Sequence, residues 1–160
     1  MSENNPAGGR NGDRVTRFPG STFLAGDWAG GLKLKFHVLE DGTASARITL
    51  PDHYGGPPGI IHGGILGSLL DEAMTVATFE ARVPGLTASM TLDYKVPVPR
   101  GSMVLVTGRV ERVEGRKVYC AGEIRLEDGT LAVAGTALFV QHEAVVAFLK
   151  PFMDGDSDTT

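Results

Sequence analysis

Cysteine is almost missing from this chain: of 160 residues only Cys120 is one, which rules out an intrachain disulfide and a cysteine-based zinc site. A lone thiol suits a reducing compartment, and the expectation is a cytoplasmic protein. Long apolar runs are missing too. None approaches the ~20 residues that a membrane-crossing helix needs, and the stretch Met1–Arg17 is polar rather than leader-like, so no membrane partner is expected. Excess positive charge is also absent, with 15 Lys and Arg against 19 Asp and Glu for a net charge of −4. Nucleic acid therefore has no electrostatic footprint to bind. The four histidines, His37, His53, His62 and His142, have no metal-ligand spacing, and neither metal nor cofactor is expected.

What is present is enough apolar sequence, 42%, for one compact core. The expected organisation is a polar, disordered segment over 1–17, one domain over 18–150, and an acidic, disordered tail over 151–160. Leu32–Val38 and Ala44–Leu50 are β-like and flank Glu40-Asp41-Gly42, a hairpin signal because Asp and Gly tolerate positive φ. A Pro/Gly-rich connector, Pro51–Gly59, precedes a helix expected over Gly64–Ala81, which Pro84-Gly85 closes. Leu86–Val96, Met103–Val113, Lys117–Leu126 and Thr130–Gln141 then alternate apolar with polar residues as strands do. The order β-β-α-β-β-β-β predicts an α+β layer architecture, with one long helix set on an antiparallel sheet of about six strands.

That helix divides into two unequal faces. Leu66, Leu69, Leu70, Ala73, Val76 and Ala77 form the stripe expected to face the sheet. Gly64, Gly67, Ser68, Asp71, Met74, Thr75 and Thr78 fall opposite, where a solvated helix would carry long charged side chains. Small residues there permit a ligand or a partner to approach around Asp71, and Met74, Thr75 and Thr78 are candidates for a pocket wall. A solvated surface acid fits the same pattern. Glu72 is turned by ~100° from Asp71 and is not the candidate base.

Upstream, Pro58-Gly59-Ile60-Ile61-His62-Gly63-Gly64 brings glycines to the helix start, where unpaired N–H groups point at an anion or a developing oxyanion. Arg109, Arg112, Arg116 and Lys117 gather on two strands and their turn. Arg116 is the candidate for binding phosphate groups, against a solvated edge paired with Glu111, Glu114 and Glu123. Cys120 alternates with Val118, Gly122 and Ile124 as a small core residue would, and Ser68 and Ser89 lack a neighbouring His-acid arrangement.

His62-Gly63-Gly64 followed seven positions on by Asp71 resembles the signature of hotdog-fold acyl-coenzyme A thioesterases of the phenylacetate-pathway type. Thr87 to Pro97, which starts with Thr and ends in an aromatic and a proline, is similar to the strand after the helix in that family. The resemblance runs from about Leu32 to Gln141. It implies a hotdog fold, a curved sheet wrapped round the helix, and a homodimer or homotetramer whose sheets join edge to edge with sites at the interface. It implies hydrolysis of an acyl-coenzyme A thioester by Asp71 as nucleophile or general base. The Gly64 N–H would polarise the carbonyl, with Gly63 beside it in the loop, His62 would shape the loop, and Thr87 would position the carboxylate or water. The family often carries Asn six residues before the His; this chain has Gly56, with His53 and Tyr54 as nearby substitutes. A hotdog hydratase and a non-catalytic acyl-coenzyme A sensor are the competing readings.

Overall fold

A computed structural model describes residues 14–19, 24 and 32–155, so most of the 1–17 segment and the end of the acidic tail lie outside the described residues. One seven-stranded sheet carries the fold: β1 (Arg14–Val15), β2 (His37–Val38), β3 (Ala44–Thr49), β4 (Gly85–Tyr94), β5 (Met103–Glu114), β6 (Lys117–Leu126) and β7 (Leu131–Gln141). Their order across the sheet is β1-β2-β3-β5-β6-β7-β4, every neighbour antiparallel. Turn chemistry sets the tight connections. Gly42, Gly115 and Gly129 take φ of 84°, 58° and 89°, a region that other L-residues enter at a steric cost.

Helix α1 (Gly63–Glu80) lies across the concave face of this sheet. Its seat is a row of glycines. Gly108 of β5, Gly122 of β6 and Gly135 of β7 are register neighbours, and a Cβ on Gly108 would come within 2.5 Å of the Ala73 carbonyl carbon. One on Gly122 would sit 3.0 Å from a Leu70 methyl, so the missing side chains let α1 sink into the sheet. Leu69, Leu70, Ala73 and Met74 of α1 are fully buried there with Val104, Val106, Ile124 and Phe139 of the sheet. This is the hotdog architecture, a curved antiparallel sheet round a central helix.

Three features differ from the sequence reading. Of Leu32–Val38 only His37–Val38 is a strand, although Leu34 and Phe36 are buried and Lys33 and Lys35 exposed as alternation requires. The outer partner β1 is two residues long, and beyond it only single backbone bonds, Thr16 N–H to Phe36 O at 3.0 Å and Leu34 N–H to Leu24 O at 3.2 Å, are made by this stretch among the described residues. The sheet has a seventh strand because Arg14–Val15, placed by the sequence in a disordered segment, pairs with β2. A second helix, α2 (Glu143–Asp154), follows β7 and runs into residues assigned to the tail, ending at Gly155 with φ 80°. Its pattern is interrupted by Pro151, which hides it in the sequence.

Candidate active site

The loop before α1 is built to hold the helix start. Tyr54 O accepts from the His62 N–H at 2.9 Å, Ile60 O from Gly56 at 3.0 Å, and Val98 O from Ile61 at 2.8 Å. His62 is the N-cap: its Nδ1 accepts the Gly64 N–H at 2.9 Å. That satisfies one of the orphan donors of the first turn and engages the N–H expected to meet a substrate oxygen. The Gly63 N–H has no hydrogen-bond partner among the described residues. Gly63 O instead accepts from the Tyr94 hydroxyl at 2.7 Å, an anchor the sequence reading passed over because an aromatic at a strand end carries no sign of its partner.

The small residues of α1 have a first explanation inside the chain. A Cβ on Gly63 would meet the Tyr94 ring at 3.3 Å, and one on Gly67 a Leu92 methyl at 3.1 Å, so strand β4 lies against this face. Gly56 is equally confined, since a Cβ there would stand 3.1 Å from the His62 Cα. An Asn side chain would need the loop to move. The ring centroids of His53 and Tyr54 lie 4.3 Å apart with the planes tilted by 41°, and the buried Tyr54 hydroxyl has no partner among the described residues.

Asp71 stands half-buried in the middle of α1, and its Oδ1 accepts the Thr87 hydroxyl at 2.7 Å. A β-bulge makes that contact. Thr87 pairs with Phe139 and Ser89 with Leu138, leaving Ala88 as the extra residue, so the alternation changes phase between Thr87 and Met90. Without it Thr87 would face away from Leu92 and Tyr94; with it all three face α1. Thr75 donates to the Asp71 backbone O at 2.8 Å, and Ser68 to Gly64 O at 2.9 Å, which turns both hydroxyls onto the helix itself.

Two of the candidate pocket-wall residues lie inside the protomer. Met74 is fully buried in the core beside Gly122, and Thr78 is fully buried with its hydroxyl on Thr75 O. The sheet curves so far round the helix that it takes in positions a flat layer would leave outside. Thr75 remains half-buried. Glu72 is buried on another side, lining a cleft with Val76 and Phe36, away from the Asp71 face as its helical position implied. An apolar cleft of about 260 Å³ opens at the start of α1, walled by Ile60, Leu66, Val96 and Val98, with Gly63 and Tyr94 on its rim.

The basic cluster separates. Arg109 pairs with Glu111 at 2.8 Å and Arg112 with Glu114 at 2.7 Å, Arg112 also covering the Tyr119 ring at 3.6 Å. Among the described residues the Arg116 side chain has only the backbone O of Gln141, at 3.2 Å. Cys120 is buried under α1, and burial with the Glu111 charge behind it pushes its thiol up to about 12, which makes it inert. Among the described residues no group of three His, Cys, Asp or Glu could hold a metal ion, and no helix is long and apolar enough to cross a membrane.

A family model described as the thioesterase superfamily matches residues 58–133, the span that contains the helix start, Asp71 and Thr87. A solved thioesterase superfamily protein is 34% identical with a TM-score of 0.72 over 75% of this chain and 59% of its own. A solved point mutant of the phenylacetic acid degradation protein PaaI from Thermus thermophilus is 26% identical with a TM-score of 0.63, over 69% of this chain and 95% of its own. The chain is thus similar to hotdog-fold thioesterases of the PaaI-like type, in sequence over residues 58–133 and in the fold of its sheet and central helix. Among curated relatives, the acyl-coenzyme A thioesterase THEM4 of Xenopus laevis is 38% identical over 54% of this chain. The match spans only 39% of that relative's length.

Proposed function

We propose that this chain hydrolyses acyl-coenzyme A thioesters to a carboxylic acid and free coenzyme A, with Asp71 as the catalytic carboxylate. The observation that carries it is the Thr87 hydroxyl on Asp71 Oδ1, which holds one carboxylate oxygen and leaves the other for chemistry. Asp71 either takes a proton from the attacking water or attacks the carbonyl carbon itself. In both cases the C–S bond breaks, the sulfur leaves as thiolate and gains a proton, and water supplies the acid's second oxygen. The start of α1 receives the negative charge that develops on the carbonyl oxygen. Gly63 offers a free N–H, and Gly64 offers one once His62 Nδ1 releases it. The acyl group lies in the apolar cleft beside that helix start.

Two protomers are needed for one site. Gly64 and Asp71 are seven positions apart on α1, roughly 10 Å at about 1.5 Å per residue. A thioester carbonyl whose oxygen sits about 3 Å from a donor and whose carbon sits about 3 Å from the carboxylate spans about 7 Å, short of that backbone separation and at the limit of what the Asp71 side chain closes within its own helix. The helix start of one protomer therefore serves the Asp71 of its partner. Strand β4 supplies the joint: among the described residues it is a ten-residue sheet edge paired only with β7, with Leu86 and Tyr94 more than half exposed. Light scattering should give a dimer or tetramer, and an active monomer would refute the shared site.

Thiol release from a panel of acyl-coenzyme A substrates tests the activity. Asp71→Asn should lose turnover by about 10²-fold or more while keeping fold and assembly, because Asn still accepts from Thr87 but neither attacks nor takes a proton. Full activity in that variant overturns the mechanism, and substrate binding without turnover in the unaltered protein assigns a sensor.

A further inference from the structure

The cleft between α2 and the β5–β6 turn has a composition at odds with the rest of the chain. It measures about 680 Å³ and is lined by Arg116, Gln141, His142, Glu143 and Lys150, with Val146 and Ala147 as an apolar wall. In a chain of net charge −4, it joins two permanent cations and an imidazole to a single acid. Neither cation is in an ion pair with a described residue, unlike Arg109, Arg112 and Arg125, which each have a Glu.

The arginine is also held in place. Gln141 N–H donates to Arg116 O at 2.8 Å, the Gln141 side chain to Gly115 O at 3.3 Å, and Arg116 Nε to Gln141 O at 3.2 Å. Three bonds thus fix the turn against the end of β7 and leave the two terminal guanidinium nitrogens without a partner among the described residues, which suits bidentate phosphate recognition. His142 spends Nδ1 on the N–H of Ala144 at 3.3 Å, which leaves its Nε2 unengaged by any described residue.

We infer that this cleft binds the phosphorylated nucleotide end of the thioester substrate, with Arg116, Lys150 and His142 on phosphate and the Val146–Ala147 wall against the nucleoside. This rests on the acyl-coenzyme A reading above. Its reach is right. Gln141 lies two residues beyond Phe139, the register partner of Thr87, so at about 3.3 Å per residue and about 4.8 Å between strands its Cα is roughly 8 Å from that of Thr87. An extended phosphopantetheine arm spans more than that. Helix α2, which the hotdog core does not need for its sheet, thereby becomes part of the substrate site.

Two measurements on the full chain test this. Calorimetry with adenosine 3′,5′-bisphosphate probes the cleft without chemistry, and kcat/KM for an acyl-coenzyme A against the same acyl group on pantetheine isolates the nucleotide's contribution. Arg116→Glu and Lys150→Glu should each weaken the bisphosphate at least about tenfold and lower the ratio of the two kcat/KM values by a similar factor. No bisphosphate binding by the unaltered protein, equal binding by the variants, or an unchanged ratio overturns the proposal. Displacement of the bisphosphate by an equal concentration of inorganic phosphate also overturns it, by reducing the cleft to a simple anion site. Bisphosphate binding that the variants weaken, in a protein that hydrolyses no thioester, supports the cleft and removes the hydrolase reading instead.

Discussion

Replacing Thr87 with Val removes one hydroxyl and almost nothing else. Val is a good strand residue of nearly the same shape, and Thr87 is exposed in the protomer, so stability should change by no more than about 0.5 kcal/mol. What is lost is the 2.7 Å bond to Asp71 Oδ1. A hydrogen bond to an ionised group contributes about 1.5–3 kcal/mol, at the lower end where water can replace it and at the upper end where a partner protomer covers the pair. At about 1.4 kcal/mol per tenfold, kcat/KM should fall roughly 10- to 100-fold in a thiol-release assay on acyl-coenzyme A. A freely turning carboxylate would spread this loss over orientation and basicity, so the single variant cannot separate them. The cycle with Asp71→Asn can separate catalysis from structure. There Thr87 donates to a neutral amide oxygen that performs no chemistry, so the second substitution should cost little more. If Thr87→Val keeps full activity, or loses the same factor in both backgrounds, the bond positions nothing and the role assigned to Thr87 is wrong.

Gly108→Ala should destabilise the fold by about 1–3 kcal/mol in denaturant melts, because its Cβ would lie 2.5 Å from helix backbone that cannot step aside; a neutral change would mean that α1 rides higher on the sheet. His62→Ala should cost about 1 kcal/mol through the lost N-cap, read as a lower melting temperature, and unchanged stability would deny the cap. Cys120 should resist a thiol-specific reagent at pH 8 in the native protein and react promptly once unfolded. Its thiol stays neutral until pH approaches about 12, and rapid native labelling would contradict its burial.

Local chemistry written into successive residues was legible before any fold was known. The Asp41-Gly42, Glu114-Gly115 and Asp128-Gly129 pairs mark turns because positive φ is a property of the residue itself. Alternation located the long strands, and the run from Gly64 to Ala81 declared a helix, found at Gly63–Glu80, with one carboxylate among the small residues of one face. The candidate site was legible to the extent that it lies on one helix and its cap. Tertiary structure decided what those residues meet. Thr87 reaches Asp71 only because a bulge at Ala88 shifts the phase of β4, and strict alternation points it the other way. Met74 and Thr78 entered the core because a curved sheet encloses more of a helix than one stripe. Arg116 and Lys150 share a cleft because α2 folds back beside the β5–β6 turn. A residue's backbone preference acts over a few neighbours and can be read in order, whereas a shared cleft depends on how distant segments pack, which no local pattern encodes.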